Sequence, residues 1–145
     1  MSADNATLGG VRRANFLGVP AAFNLNHEMV MVNEAFGHVG YLVGSCIDNR
    51  EYRDVDVRML LPDAEYDRMF PGITKNQQMH PLWSLLCASI SEWLSARTGL
   101  PIDFQIQRRA DANEMYPYGK RQALGLFFRV NAERTADDAP RSGDD

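Results

Sequence analysis

Residues 53–61 read Arg53-Asp54-Val55-Asp56-Val57-Arg58-Met59-Leu60-Leu61, in which Asp54, Asp56 and Arg58 alternate with Val55, Val57 and Met59, and Pro62 marks the end. A period of two is the pattern of a β-strand with one polar and one apolar face. Alternation sets Asp54 and Asp56 side by side on the polar face. Two neighbouring carboxylates repel unless a divalent cation or a cationic side chain neutralises them. Upstream, Val39, Tyr41, Leu42 and Val43, closed by Gly44-Ser45, predict a buried strand. Downstream, Ile102, Phe104 and Ile106 alternate with Asp103, Gln105 and Gln107 in a third strand with the same two faces.

The segments between these strands read as helices. Leu25, Met29, Val32 and Phe36 recur at helical spacing over 25–36, and Gly37 ends the run. Asp63 to Phe70 predicts a short helix with Asp63 as its cap, followed by a Pro71-Gly72 loop. Leu82, Leu85, Leu86, Ile90, Trp93 and Leu94 form an apolar stripe over about 81–98, stopped by Gly99 and Pro101, and this longest helix is expected to cover the sheet. Leu124 to Val130 is expected as a fourth strand at the edge. The order predicts a single α/β (α+β) domain, a small mixed sheet backed by helices.

Composition sets the limits. The chain has 145 residues with 45% hydrophobic and 23% charged side chains, which suits one domain rather than two. The core is expected over about 15–130, between a loose N-terminal tail (1–14) and an acidic, disordered C-terminal tail (131–145). The tail from 131 carries five acids against two arginines, so most of the net charge of -4 resides there and the body is nearly neutral. A near-neutral body argues against a general nucleic-acid binder, which shows a strongly basic domain. Cys46 and Cys87, with no leader-like segment, predict a cytoplasmic protein, and no apolar stretch approaches the roughly 18 residues that span a bilayer. No membrane contact is expected.

Magnesium, or manganese, is the cation that suits an Asp-x-Asp pair. It takes hard oxygen ligands, commonly one or two carboxylates completed by substrate phosphates. Asp103 can supply a third carboxylate. Gly44-Ser45, at the end of the first strand, lets the backbone approach a phosphate chain while a hydroxyl and amides donate to it. Eight residues separate Ser45 from Asp54, enough for one helical turn and a return into the adjacent strand.

Leu42-Val43-Gly44-Ser45, then Asp54-Val55-Asp56-Val57, then Ile102-Asp103-Phe104 resemble the signature of the nucleotidyltransferase (DNA polymerase beta-like) superfamily. The resemblance covers about 25–107 and is nearest to the minimal, stand-alone members of bacteria and their phages. It implies that Gly44 and Ser45 hold the β- and γ-phosphates, that Asp54 and Asp56 bind two metals, and that Asp103 completes the metal site and helps activate the acceptor. It further implies transfer of a nucleoside monophosphate from an NTP to a hydroxyl of RNA, protein or a small molecule, with release of pyrophosphate. A catalytically degenerate member, binding a nucleotide or a protein, is the competing expectation. Ile47-Asp48-Asn49-Arg50 replaces the small-residue and Arg-Gly run typical of minimal members. Asp48 would repel a triphosphate, and Arg50 or Arg53 could offset it. Lys120 and Arg121, in a basic segment with Tyr116 and Tyr118, are candidates for the nucleotide or acceptor pocket. So short a chain could also form a homo-oligomer or need a partner subunit.

Other motifs fail. His27-Glu28 is followed by Met31 where a zinc-protease helix needs its second histidine, and Gly119-Lys120 lacks the upstream glycine of a P-loop. Cys46 and Cys87 read as small buried residues, and Trp83 and Trp93 as core.

Overall fold

The computed structural model describes residues 14–72 and 79–126. Both expected tails, apart from Ala14, fall outside the described residues. The elements run in the order α1 (Val19–Phe36), β1 (Gly40–Val43), a 3-10 turn (Ser45–Ile47), β2 (Val55–Leu61), α2 (Asp63–Met69), α3 (Pro81–Thr98), β3 (Ile102–Arg108), α4 (Arg109–Met115) and β4 (Gln122–Ala123). They form one small α+β domain around a four-stranded mixed sheet in the order β3-β2-β1-β4. β1 pairs antiparallel with β2 and β4, and β2 runs parallel to β3.

The alternation read from residues 53–61 is what fixes this sheet. Val55, Val57 and Met59 of β2, Ile102, Phe104 and Ile106 of β3, and Leu42 of β1 are buried on one face against Leu25, Met29 and Val32 of α1 and Cys87 and Leu94 of α3. Burying such apolar faces is the main stabilising term, and it orients the polar residues of the same strands to the opposite face. The ladder of β2 begins at Val55, whose amide donates to the Pro101 carbonyl (2.9 Å). Asp54 therefore stands just before the strand rather than within it.

Several expectations are corrected. Helix α1 starts at Val19, six residues before the predicted start, because Pro20 is tolerated in a first turn where its missing N–H is not needed. Asp63 does not cap α2; its carboxylate accepts the Ala110 amide (3.0 Å) across at the start of α4. In α3 the stripe is rotated: Leu82 and Leu85 are exposed, while Trp83, Cys87 and Leu94 are buried. Trp83 turns inward because its indole N–H donates to the Ile106 carbonyl (2.7 Å), which gives a buried donor its partner. The strand that pairs with β1 is Gln122–Ala123, opposite Leu42 and Tyr41, ahead of the expected start at Leu124. Gly125, at φ 75°, turns the chain away, and its amide donates to the Asn26 side chain (2.8 Å). The expected strand residues 127–130 lie outside the described residues. Helix α4 occupies part of the segment read as a basic connection.

Both cysteines are buried and free, as expected. Burial pushes the Cys46 thiol up to about 11, with the nearby Asp56 charge adding to the shift, and pushes the Cys87 thiol up to about 11. Neither is a thiolate nucleophile at neutral pH. Among the described residues, no helix is long and apolar enough to cross a membrane.

Candidate functional site

Parallel pairing sets Asp56 directly beside Asp103. The two carboxylates share the polar face of neighbouring strands, and Arg58, two residues along β2, shares it too. The Arg58 guanidinium reaches Asp103 Oδ2 (3.4 Å) and Asp56 Oδ1 (3.7 Å), and donates to the Asp103 backbone carbonyl (2.7 Å). The cationic side chain that two adjacent carboxylates require is thus supplied by the strand itself. Its sequence signal was the same alternation that exposed the acids.

The Gly44-Ser45 turn comes to the same place. Gly44 has φ 84° and ψ -162°, a backbone region essentially confined to glycine. A Cβ built on Gly44 would collide with the Asp56 carboxylate. The glycine therefore serves two purposes: it makes the turn out of β1 and it lets Asp56 lie against the backbone. Beyond it, the Ile47 amide donates to the Gly44 carbonyl (3.2 Å), and the Asp48 and Asn49 amides donate to the Ser45 carbonyl (3.2 and 2.7 Å). The turn is anchored from below by Phe16, whose amide donates to the Cys46 carbonyl (2.8 Å).

The expected basic residues divide. Lys120 returns to this turn, donating to Asp48 (2.9 Å). It thereby offsets the acid that would repel an anionic ligand, a role expected of Arg50 or Arg53, and a contact across 72 residues that no sequence spacing displays. Arg53 is exposed. Arg121 is held elsewhere, on Asn113 (2.8 Å) and the Ala112 carbonyl (3.4 Å). Asp54, exposed at the foot of β2, is near enough for its charge to act on Asp56. Among the described residues, no three His, Cys, Asp or Glu side chains converge closely enough to hold a metal ion as they stand.

Burial is the largest influence on Asp56 and holds its carboxyl above the ordinary value of 3.8; Arg58 pulls it down, and the charges of Asp103 and Asp54 push it up again. The folded state thus keeps this proton to a higher pH than the unfolded chain does. Asp56 contributes a component of stability that is complete below its ordinary value of 3.8 and is lost as pH rises through the raised value. Urea midpoints measured between about pH 4 and 7 are expected to show this slope in the native protein and to lose it in Asp56→Asn.

Gly44→Ala is expected to destabilise by about 1–3 kcal/mol from backbone strain alone, before the displacement of Asp56 is counted. Gly99→Ala is its control. Gly99 also has positive φ (75°), but a Cβ there meets nothing within 4 Å, so only the left-handed penalty of about 1 kcal/mol applies. Urea melts of the two variants test the difference.

Compared with protein-family models, curated proteins and solved structures, the chain matches none. The functional reading therefore rests on the site itself.

Proposed function

We propose that the protein is a metal-dependent nucleotidyltransferase, moving a nucleoside monophosphate from an NTP to a hydroxyl acceptor. The observation that carries this reading is the meeting of Gly44, Asp56 and Asp103 at one end of the three strands β1, β2 and β3. A glycine-only turn lies against a carboxylate that is paired, strand to strand, with a second carboxylate. Asp54 and Ser45 flank the group on the exposed side.

The donor chemistry suits a hard cation. Three carboxylates supply oxygen only, which matches magnesium or manganese and not zinc. Asp54, Asp56 and Asp103 would hold the metal once Arg58 has swung off the two inner acids, and the metal would supply the positive charge that a triphosphate demands. The remaining work belongs to the chain. The Gly44 backbone admits the phosphates, the Ser45 hydroxyl donates to them, and Lys120 screens Asp48. In the transfer, the acceptor oxygen bonds to the α-phosphorus, the α–β anhydride bond breaks, pyrophosphate leaves, and the acceptor proton passes to Asp103. Such catalysis is chiefly positioning and charge stabilisation.

Arg58 favours a second reading. Its guanidinium already pairs with both Asp56 and Asp103, as it would in a protein that keeps the fold to bind a nucleotide or a protein without transfer. Calorimetric titration of each NTP with and without magnesium, with pyrophosphate followed in the same samples, separates the two. Magnesium-dependent binding with pyrophosphate release supports the transferase; binding without release supports the binding module. No binding of any NTP by the folded protein overturns both nucleotide readings.

A further inference from the structure

A second feature of the polar face lies at the opposite end of β2. Leu60 is four residues beyond Asp56 on the same face, roughly 13 Å along the strand. There a cleft of about 440 Å³ opens between β1, β2, α4 and the segment leading into β4, lined by His38, Tyr41, Leu60, Arg109, Asn113 and Arg121. That volume lies in the range of small-molecule sites.

Its charge is not balanced by the fold. Arg58, Arg97 and Arg108 each face a carboxylate. Among the described residues, Arg109 and Arg121 have none. Arg109 donates only to the Leu60 carbonyl, at a long 3.4 Å, and Arg121 donates to an amide oxygen and a carbonyl. Of the acids near the cleft wall, Glu65 is bound to His38 at 2.6 Å, and Asp63 accepts the Ala110 amide and pairs with Arg108. These partners hold the Arg121 guanidinium and tether that of Arg109 loosely, without neutralising either. Two guanidiniums without carboxylate partners, both lining one cleft, are suited to a phosphate, which they can grip through parallel N–H donors. The Tyr41 ring adds a flat aromatic face beside them, and the His38 ring, held by Glu65, a second planar surface.

We propose that this cleft is a binding site for a small phosphate monoester that carries a planar ring, the chemistry of a nucleoside monophosphate. The phosphate is held by Arg109 and Arg121, and the ring by Tyr41 and His38. The site needs no metal and stands independently of the transfer proposed above.

Adenosine monophosphate is the probe, titrated in EDTA and followed by calorimetry and by backbone amide shifts. Binding is expected with shifts confined to Gly37–Tyr41, Leu60, Arg109–Asn113 and Arg121, unchanged in Asp54→Asn/Asp56→Asn. Affinity is expected to fall at least tenfold in Arg109→Ala and in Arg121→Ala, and severalfold in Tyr41→Leu. Inorganic phosphate is expected to bind more weakly at the same amides, and adenosine not at all. No binding, shifts centred on Gly44–Ile47, or phosphate binding as tightly as the nucleotide would each overturn the proposal. The amide shifts come from the native protein, so the proposal stays testable where an arginine variant fails to fold.

Discussion

Asn33→Ala is expected to lower the stability of the protein by about 2–4 kcal/mol, with a fall in Tm of about 10 °C. Asn33 is fully buried in α1, where a polar side chain is tolerated only if its groups are paired. Its amide donates to the Leu124 carbonyl (2.9 Å), and its oxygen accepts the Gly40 amide (2.9 Å). One side chain thus ties the start of β1 to the end of β4. Truncation leaves a strand N–H and a carbonyl buried without partners and opens a small void, and each orphaned group costs about 1–3 kcal/mol. Asn24→Ala, exposed on the same helix, is the control and is expected within about 0.5 kcal/mol of the native protein. Because β4 follows directly on Arg121, adenosine monophosphate binding should weaken in Asn33→Ala even where the variant remains folded. Urea melts and the EDTA titration check both effects. A variant as stable as Asn24→Ala would mean that the edge strand is held by something other than this clasp.

The residues show why part of the structure was legible and part was not. Alternation along Asp54–Met59 and Ile102–Gln107 states which side of each strand is buried, because a strand has only two faces. The pairing of Asp56 with Asp103 then needed only the register that buries Val57 beside Phe104. A helix has no such binary choice. Its apolar residues in 81–98 outnumber the positions that can be buried, so the sequence leaves the rotation open by a residue. The Trp83 hydrogen bond to Ile106 selects the rotation, and that bond is tertiary. The edge strand pairs earlier than the apolar run suggests: Leu124–Val130 is the more apolar stretch, yet β1 pairs with Gln122–Ala123, and Gly125 follows with positive φ and an amide bonded to Asn26. Helix α4 did have a local signal, an Ala-rich start with Asp111 in its first turn. The basic residues around it obscured that signal. At the site, Arg58 was visible as the next polar-face residue after Asp56, whereas the Lys120–Asp48 pair joins distant segments and leaves no trace in spacing.

Replacing both acids of the Asp-x-Asp pair, Asp54→Asn with Asp56→Asn, is expected to weaken magnesium-dependent NTP binding by at least a hundredfold and to leave the fold intact. The carboxylates lie on the polar face, Asp54 is exposed, and the Asp56 side chain is 25% exposed, so neither is part of the apolar core. Removing the Asp56 charge also removes the cost of burying an ionised carboxylate, the cost that raises its pKa. Arg58 keeps Asp103 as a partner, so no buried guanidinium is stranded. The amide replacements preserve shape but remove the two negative charges a divalent cation needs. Titration of NTP with magnesium, beside a thermal melt, reads both halves of the expectation. Undiminished metal-dependent binding would remove these acids from the site, and an unfolded variant would make them structural. Arg58→Met supplies the converse. If the guanidinium competes with the cation for Asp56 and Asp103, its loss should tighten binding of manganese alone, as read by paramagnetic relaxation of water. Weaker binding in that variant would instead make Arg58 a ligand-positioning group. The two substitutions therefore test the same pair of carboxylates from opposite sides, one by removing the charge and the other by removing what neutralises it.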